Sequence, residues 1–479
     1  MSQVDRSPPP SPSASRMRVP QIPSNPTTPP DYGPSLAYAQ SSQARNWRFS
    51  AKQLKRMRDE GNKAARERLI KIWSEEKSGE SSGSELSIPF LSVSDELALL
   101  TFYLVKIGQI VRAFGLPELV EATAMTFMKR FYLRNTCMDF HPKSIMLTCV
   151  FLATKAENYP LSLTGFATKL AGKNPQPETI RENEKTVLDL EFLVSQSLGF
   201  QYGVHGAHRS LYGLILDAQA LQPPPAREVL QTMVAASHSN LNNSRLTDAE
   251  FIYTPSQIAL ACLRAADVNG RLIVGRWLDE KETLARSAMR EAKAEREALR
   301  EEERQRQKRV RVEAARKVRG RAGAKAAEEE EKKQQEAQQA LKVAEFEDQV
   351  TDAAPLGSTR KEIESTLDEI EALFRAREKG GSTGVGKGAA DLEKVKEIDK
   401  RLKECMNPEK VPGTRLYLKR QADEEAAAAN KRAKRSSGKS EDGGMEGGDT
   451  VSVGRTGEGE ESDDDQVPVS KDLAVKAEH

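Results

Sequence analysis

Apolar residues recur at helical spacing through the middle of the chain. Four segments show this period, residues 96–114, 117–133, 142–157 and 178–198, and each is closed by a Gly, Pro or Asn signal. Alternating runs rich in Val, Ile and Thr, which predict strands, are absent between residues 89 and 277. The pattern therefore predicts an all-α fold for this part of the chain.

Two segments of the chain resemble each other without a gap. HPKSIMLTCVFLA starts at His141, and TPSQIALACLRAA starts at Thr254. The shared positions pair Pro142 with Pro255, Ile145 with Ile258, Leu147 with Leu260, Cys149 with Cys262 and Ala153 with Ala266. Proline suits the first turn of a helix, and apolar residues almost all round a helix predict burial on every side. The repeat indicates two copies of one small bundle; chance similarity of two buried helices is the alternative.

The chain before this region has a different character. Residues 1–42 are rich in Pro and Ser, which predicts a disordered tail. Within residues 43–88, Ser50 and Gln53 have the spacing of a capping box, which predicts a basic helix as far as about Trp73, followed by a Ser/Gly/Glu linker. The apolar stripe of this helix is incomplete, so we expect it to be stable only when docked on the bundles or on a partner.

The composition changes again after the second repeat. Residues 281–350 are mostly Glu, Lys, Arg, Gln and Ala, with too few apolar residues for a coiled coil. We expect either a solvated single helix or a flexible insertion. Helical periodicity returns within residues 356–410. The composition of residues 411–479 predicts a disordered tail with a basic segment and an acidic end.

Composition narrows the class of protein. Hydrophobic residues make up 38% of the 479 residues, below the roughly 45–50% of a globular chain, so not all of the chain can be packed core. A formal net charge of +2 favours neither nucleic acid nor a membrane surface as a partner. The four cysteines form no CxxC pair, and no apolar run approaches the length of a membrane span. We expect a soluble, intracellular protein with free thiols.

Candidate catalytic chemistry is sparse in the sequence. His205 and His208 form an H-x-x-H pair without an evident third ligand, so we expect no metal site. The sequence contains no glycine-rich phosphate loop, nucleophile elbow or kinase signature. We therefore expect no cofactor and no enzymatic activity.

The repeated segments also carry a family resemblance. MKRFYLRNTCMDFHPKSIMLTCVFLATKAENYPLS, from Met128 to Ser162, resembles the first box of cyclins, and of the cyclin H group in particular. YTPSQIALACLRAAD, from Tyr253, resembles the central helix of the second box. RNWRFS and the basic helix after it resemble the N-terminal extension of that group, and RLKECMNPEKVPGTRLYLKRQ resembles the C-terminal helix and tail of its fungal members. Residues 281–350 have no counterpart, and the MRAIL-type docking motif of cell-cycle cyclins is missing.

The resemblance implies two tandem cyclin boxes, each a five-helix bundle, with additional terminal helices. The first box would span residues 89–203. The second would begin in residues 204–280 and end within residues 356–410, after the insertion.

The resemblance also implies a function. Such a chain would be a regulatory subunit that binds and activates the catalytic subunit of a cyclin-dependent serine/threonine kinase, the CDK-activating kinase. Its further partners would be a RING-finger assembly subunit and the TFIIH core. It would act in the nucleus, in transcription by RNA polymerase II and in the cell cycle, without binding nucleic acid directly.

Two other classes of protein compete with this interpretation. A cyclin-fold transcription factor of the TFIIB type would bind DNA directly, but that family carries an N-terminal zinc ribbon, which this sequence lacks. A purely structural helical protein would leave the repeated box unexplained.

Particular residues follow from the resemblance and from the charge pattern. Lys155 in ATKAEN and Glu191 in LDLEFLVSQSLGF match the Lys and Glu through which cyclins contact the kinase backbone near its αC helix; ordinary surface charges are the alternative. A bipartite basic pattern predicts a nuclear import signal formed by Lys419, Arg420, Lys431, Arg432, Lys434 and Arg435, and a solvated charge run is the alternative.

Overall fold

The computed structural model describes residues 37–78, 88–267, 272–317, 356–378 and 389–437. These residues form helices and connecting loops, and no strand occurs among them. The prediction of an all-α fold is confirmed for these ranges. No helix within them is both long enough and apolar enough to cross a membrane.

Three helices precede the first bundle: α1 (Ala37–Gln40), α2 (Ser42–Asn46) and α3 (Ala51–Lys77). The predicted capping box begins α3, where the Ser50 hydroxyl accepts the Gln53 N–H at 3.2 Å and Gln53 Oε1 accepts the Ser50 N–H at 2.8 Å. The end of the predicted tail also packs, because Tyr38 lies edge-on to the ring of His205 at 5.7 Å. An aromatic side chain that can leave water accounts for this difference. The rest of that tail lies outside the described residues.

Five helices form the first bundle around a central one: α4 (Val93–Ala113), α5 (Glu118–Tyr132), α6 (Pro142–Ala156), α7 (Leu163–Ala171) and α8 (Pro177–Ser197). Helix α6 packs against α4, α5 and α8, and Ile145, Leu147 and Cys149 are buried in it. Each side chain of this size stabilises the fold by about 1.5–3 kcal/mol when fully buried. The apolar surface of α6 therefore explains its central position.

The second bundle repeats this plan with α9 (Ala207–Ala220), α10 (Arg227–Arg245), the short α11 (Ala249–Ile252), α12 (Pro255–Ala266), the start of α13 (Leu272–Lys317) and α14 (Arg360–Glu378). Helix α12 is central, with Ile258, Leu260 and Cys262 buried, and it packs against α9, α10 and α14. The prediction of two helical bundles is confirmed.

Helix α14 completes the second bundle although it follows the charged segment. Leu367, Ile370 and Phe374 lie in the same buried cluster as the side chains of α12. Helix α13 starts in this core and continues without a break to Lys317. The described part of the predicted insertion, residues 281–317, is thus a helix that extends from the second bundle, and residues 318–355 lie outside the described ranges.

Helix α3, before the first bundle, and the helix that follows α14 in sequence both pack on the first bundle. Leu69 of α3 and Leu402 of α15 (Ala389–Cys405) lie in one buried cluster with Leu99 of α4. Asp139, in the loop before α6, accepts hydrogen bonds from Arg68 of α3 and from Asn407 Nδ2, the latter at 2.9 Å. The carboxylate therefore ties the N-terminal helix to the C-terminal segment.

A last helix, α16 (Arg415–Ser437), follows a short 3-10 turn at Pro408–Lys410. The described residues from Lys419 to Ser437 belong to a structural unit separate from the boxes. The sequence predicted disorder here, but the alanine-rich stretch ADEEAAAANKRAKR has high helix propensity, which explains a helix as far as Ser437. Residues 438–479 lie outside the described ranges.

Candidate functional site

The structure brings Lys155 and Glu191 together on the first bundle. Lys155 lies in the last turn of α6, and its Nζ is 2.6 Å from Oε1 of Glu191 on α8. The Lys155 side chain is 45% exposed and that of Glu191 is 24% exposed. The Lys155 ammonium also lies 4.4 Å from the ring centroid of Phe151, which is a cation–π contact. Two residues paired by resemblance alone thus form one accessible ion pair.

An open groove of about 540 Å³ lies beside this ion pair. Its lining is formed by Leu152, Lys155, Ala156, Leu188, Glu191, Phe192, Ser195, Phe200 and Tyr202. Three large apolar side chains here are exposed to solvent: Leu188 is 59% exposed, Phe192 67% and Phe200 55%. Large apolar side chains gathered in one exposed patch mark an interaction surface.

The backbone after α8 holds Phe200 in this groove. Gly199 has φ +61° and Phe200 has φ +58°, so both lie in the left-handed region. That conformation costs a residue with a side chain roughly 1–2 kcal/mol. The Phe200 N–H donates to the Ser195 carbonyl at 2.9 Å, and the Phe200 ring lies 6.1 Å from that of Phe192. The turn directs an aromatic ring to the groove rather than to the core.

The apolar part of this groove was not predicted from the sequence. In α8 the buried positions include Val187 and Val194, which face the core. Leu188 and Phe192 are four residues apart and share a different face, out of phase with the core positions. Such out-of-phase apolar residues on an amphipathic helix were the available sequence signal. No comparable signal existed for Phe200, because its position depends on how α8 ends.

The other candidate residues fall into different environments. His205 packs against Tyr38, and burial lowers the pKa of His208. Within the described residues, no group of three or more His, Cys, Asp or Glu side chains is placed to hold a metal ion. All four cysteines are free and buried.

The predicted import signal lies on α16. Lys419 and Arg420 are exposed, and Arg420 Nε is 2.9 Å from Glu424 Oε1. Lys431, Arg432, Lys434 and Arg435 follow on the same helix. The basic pattern is therefore helical over these residues, and its role as an import signal stays a prediction.

Comparison with known protein families matches both bundles. The model described as the cyclin N-terminal domain matches residues 97–195. The model described as the cyclin C-terminal domain matches residues 206–374, which include the insertion and most of α14.

Individual relatives agree with these matches. The chain is 33% identical to Cyclin CCL1 of Saccharomyces cerevisiae over 252 residues, which cover 51% of this chain and 61% of that protein. It is 32% identical to Cyclin mcs2 of Schizosaccharomyces pombe, over 47% of this chain and 68% of the relative. It is 34% identical to Cyclin-H of Xenopus laevis, over 40% of this chain and 58% of the relative.

A solved structure shares the fold. One chain of the CAK complex of Chaetomium thermophilum bound to ATP-γ-S aligns with a TM-score of 0.52 and 23% identity, over 81% of this chain and 94% of that one.

Two tandem bundles, each built around a buried helix that begins with proline, define a two-box cyclin fold. The chain belongs to the cyclin family. Its similarity to CCL1, mcs2 and frog Cyclin-H makes it a cyclin H-like member, which confirms the resemblance found in the sequence.

Proposed function

We propose that this chain is the regulatory subunit of a cyclin-dependent kinase and that the groove beside Lys155 and Glu191 receives the kinase. One observation carries the proposal: an accessible ion pair lies among three exposed apolar side chains on the first box. Protein interfaces combine an apolar centre with a few polar groups that fix orientation. The Lys155 ammonium can donate to a backbone carbonyl of the partner, and the Glu191 carboxylate can accept from a backbone N–H.

In this role the cyclin contributes no catalytic group. Nucleotide binding and phosphoryl transfer belong to the kinase, whose Lys–Glu ion pair to the αC helix and whose activation loop must both be in place. A cyclin that buries the apolar side of αC in its groove favours the kinase conformation in which that ion pair forms. The free energy of binding is thereby converted into a shift of the kinase towards its active state.

The wider assignment follows from similarity to CCL1 and Cyclin-H. In this assignment the chain is the cyclin subunit of a CDK-activating kinase. That kinase also contains a RING-finger assembly subunit and associates with the TFIIH core. It acts in the nucleus, in transcription by RNA polymerase II and in cell-cycle control. The basic segment of α16 supports nuclear import, and deletion of that segment with imaging of the tagged protein tests this part separately.

An exchange of the two charges tests the groove directly. Lys155→Glu combined with Glu191→Lys keeps opposite charges side by side, and an exposed pair contributes only about 0–1 kcal/mol to stability. The exchanged pair presents the wrong donor and acceptor to the kinase, which costs on the order of 2–5 kcal/mol of binding. We expect Kd for the kinase to rise at least about 30-fold. Calorimetry and a kinase assay measure binding and activation.

A matched control lies on α13, away from the groove. Arg304 and Glu301 form an exposed ion pair at 3.8 Å, and Arg304→Glu combined with Glu301→Arg should leave kinase binding unchanged. If the variant exchanged at Lys155 and Glu191 binds and activates the kinase like the wild type, the groove is not the kinase site. A TFIIB-type factor would bind no kinase in any variant, which affinity purification with mass spectrometry would show.

A further inference from the structure

Helix α13 extends far beyond the second box. Its 46 residues span about 69 Å at 1.5 Å per residue. Ile273, Val274 and Leu278 anchor its first turns in the core of the second box. From residue 290 to residue 309 every side chain is exposed. Packing against the box therefore does not explain which residues occupy this outer part.

The outer part of α13 separates its charges between two faces. Successive spacings of four, three, seven, four and four residues place six side chains on one face, here called the basic stripe: Arg286, Arg290, Lys293, Arg300, Arg304 and Lys308. Glu297 shares the middle of this face, Glu301 lies at its border 3.8 Å from Arg304, and Glu282 lies 3.8 Å from Arg286. The opposite face carries Glu291, Glu295 and Glu302 with the exposed Leu284 and Leu299. The basic stripe is about 33 Å long.

This arrangement disfavours the isolated helix. A solvated helix gains about 0.2–0.5 kcal/mol from each Glu and Lys or Arg placed four residues apart, and like charges at that spacing cost a similar amount. Like charges stand four residues apart at Arg286 and Arg290, at Arg300 and Arg304, and at Arg304 and Lys308. The ion pairs of Arg286 with Glu282 and of Arg304 with Glu301 offset part of this repulsion. A ligand with a row of anions would offset the rest. The net charge of +2 for the whole chain conceals this local separation.

We propose that the basic stripe binds the phosphate backbone of duplex DNA without regard to sequence. Its six cations are spread over about 33 Å, and each strand of a duplex presents a phosphate about every 3.4 Å along the axis. Residues 282–309 contain no aromatic side chain on which unpaired bases could stack. The exposed leucines lie on the opposite face, so the stripe offers no apolar anchor to a protein partner. The proposal departs from the expectation that the chain does not bind nucleic acid, and it is independent of the kinase groove.

Salt dependence of binding tests the proposal with the full-length chain and a fluorescent 20-base-pair duplex of mixed sequence. Each phosphate contact contributes about −0.9 to the slope of log K against log salt. With four to six contacts, we expect binding to weaken roughly 10²- to 10³-fold between 50 and 200 mM salt, as measured by fluorescence anisotropy.

Two variants that remove equal charge from the same helix locate the contact. Arg300→Gln with Lys308→Gln removes two members of the basic stripe, and Arg306→Gln with Arg309→Gln removes two cations from the other face. Glutamine has a helix propensity close to that of Arg and Lys, so α13 is preserved. We expect the stripe variant to lower the salt slope by about two and weaken binding about tenfold or more, and the control variant to change binding by less than about threefold.

Three results would overturn the proposal. Equal losses in both variants would show a general charge effect, and unchanged binding in the stripe variant would place the DNA elsewhere. Poly-glutamate of the same charge binding as tightly as the duplex would identify an acidic protein partner instead. Kinase activation should be unaltered in both variants, so failure here is distinguishable from failure of the kinase assignment.

Discussion

A buried ion pair links α14, the helix after the insertion, to α12 in the core of the second box. Nε of Arg264 on α12 lies 2.6 Å from Oε1 of Glu371 on α14, and each side chain is only 3% exposed. Nη2 of Arg264 also lies 2.6 Å from Asp368, whose side chain is 58% exposed. Glu371→Ala removes the buried carboxylate and leaves the Arg264 guanidinium in place.

Glu371→Ala should lower the free energy of unfolding of the second box strongly, because the buried Arg264 guanidinium loses its partner. Such a loss costs about 3–5 kcal/mol, and the remaining contact with Asp368 on the same helix favours the lower end. The packed part of the second box has on the order of 90 residues, and in a domain of that size 1 kcal/mol shifts the melting temperature by roughly 4–8 °C. A loss of about 3 kcal/mol therefore lowers the melting temperature of the second box by roughly 12–24 °C and leaves the first box unaffected.

Hydrogen exchange separates the two boxes within the intact chain. In Glu371→Ala, the amides of α12 and α14 should exchange faster, while those of α6 keep their wild-type rates. Glu364→Ala is the matched control, because it removes a 52% exposed carboxylate from the same helix. It should leave the exchange rates of both boxes unchanged. Arg264→Met combined with Glu371→Leu removes both charges and should recover most of the stability. Unchanged exchange in α12 after Glu371→Ala would mean that α14 does not close the second box.

Two further predictions concern helix α3 and its contact with the first box. Burial alone would raise the pKa of the Asp139 carboxyl, but Arg68, Lys410 and Asn407 outweigh it and hold that pKa below its usual value. A lowered folded pKa contributes stability above the unfolded value of about 4 and loses it as pH falls through the folded pKa; Asp139→Asn should therefore lower the urea midpoint at pH 7 and reduce its acid dependence. Deletion of residues 1–77, which removes α3, should reduce kinase activation by a larger fraction than it reduces the stability of the boxes, as measured by the melting temperature. Deletion of residues 1–36 should change neither activation nor melting temperature. Equal activation by the longer deletion and the full-length chain would contradict a role for α3.

The central helices could be predicted because their signals are local. Pro142 and Pro255 mark where α6 and α12 begin, and the apolar residues that follow leave no polar face. The capping box at Ser50 is also local, so the start of α3 was predicted to the residue. The groove was predicted only in part, since Lys155 and Glu191 were found through resemblance.

The remaining features depend on contacts between distant residues. The partner of Arg264 stands 107 residues later in the chain, and no pattern near either residue identifies the other. The left-handed conformation of Phe200 depends on how α8 ends against the bundle, which helical periodicity does not encode. The length of α13 was uncertain because high helix propensity without apolar periodicity fits both an isolated helix and an irregular segment.

The second box tolerates a long insertion because the cost of connecting the packed start of α13 to α14 grows slowly with length. The connection from Leu278 to Arg360 is on the order of 80 residues, about four doublings of a typical connection of roughly six residues. At about 0.6 kcal/mol for each doubling, the extra cost is roughly 2.4 kcal/mol. Burial of Leu367, Ile370 and Phe374 contributes about 1.5–3 kcal/mol each and outweighs that cost. The core can therefore recruit its last helix from far along the chain. The segment between is free to acquire a binding surface of its own while the groove on the first box is unchanged.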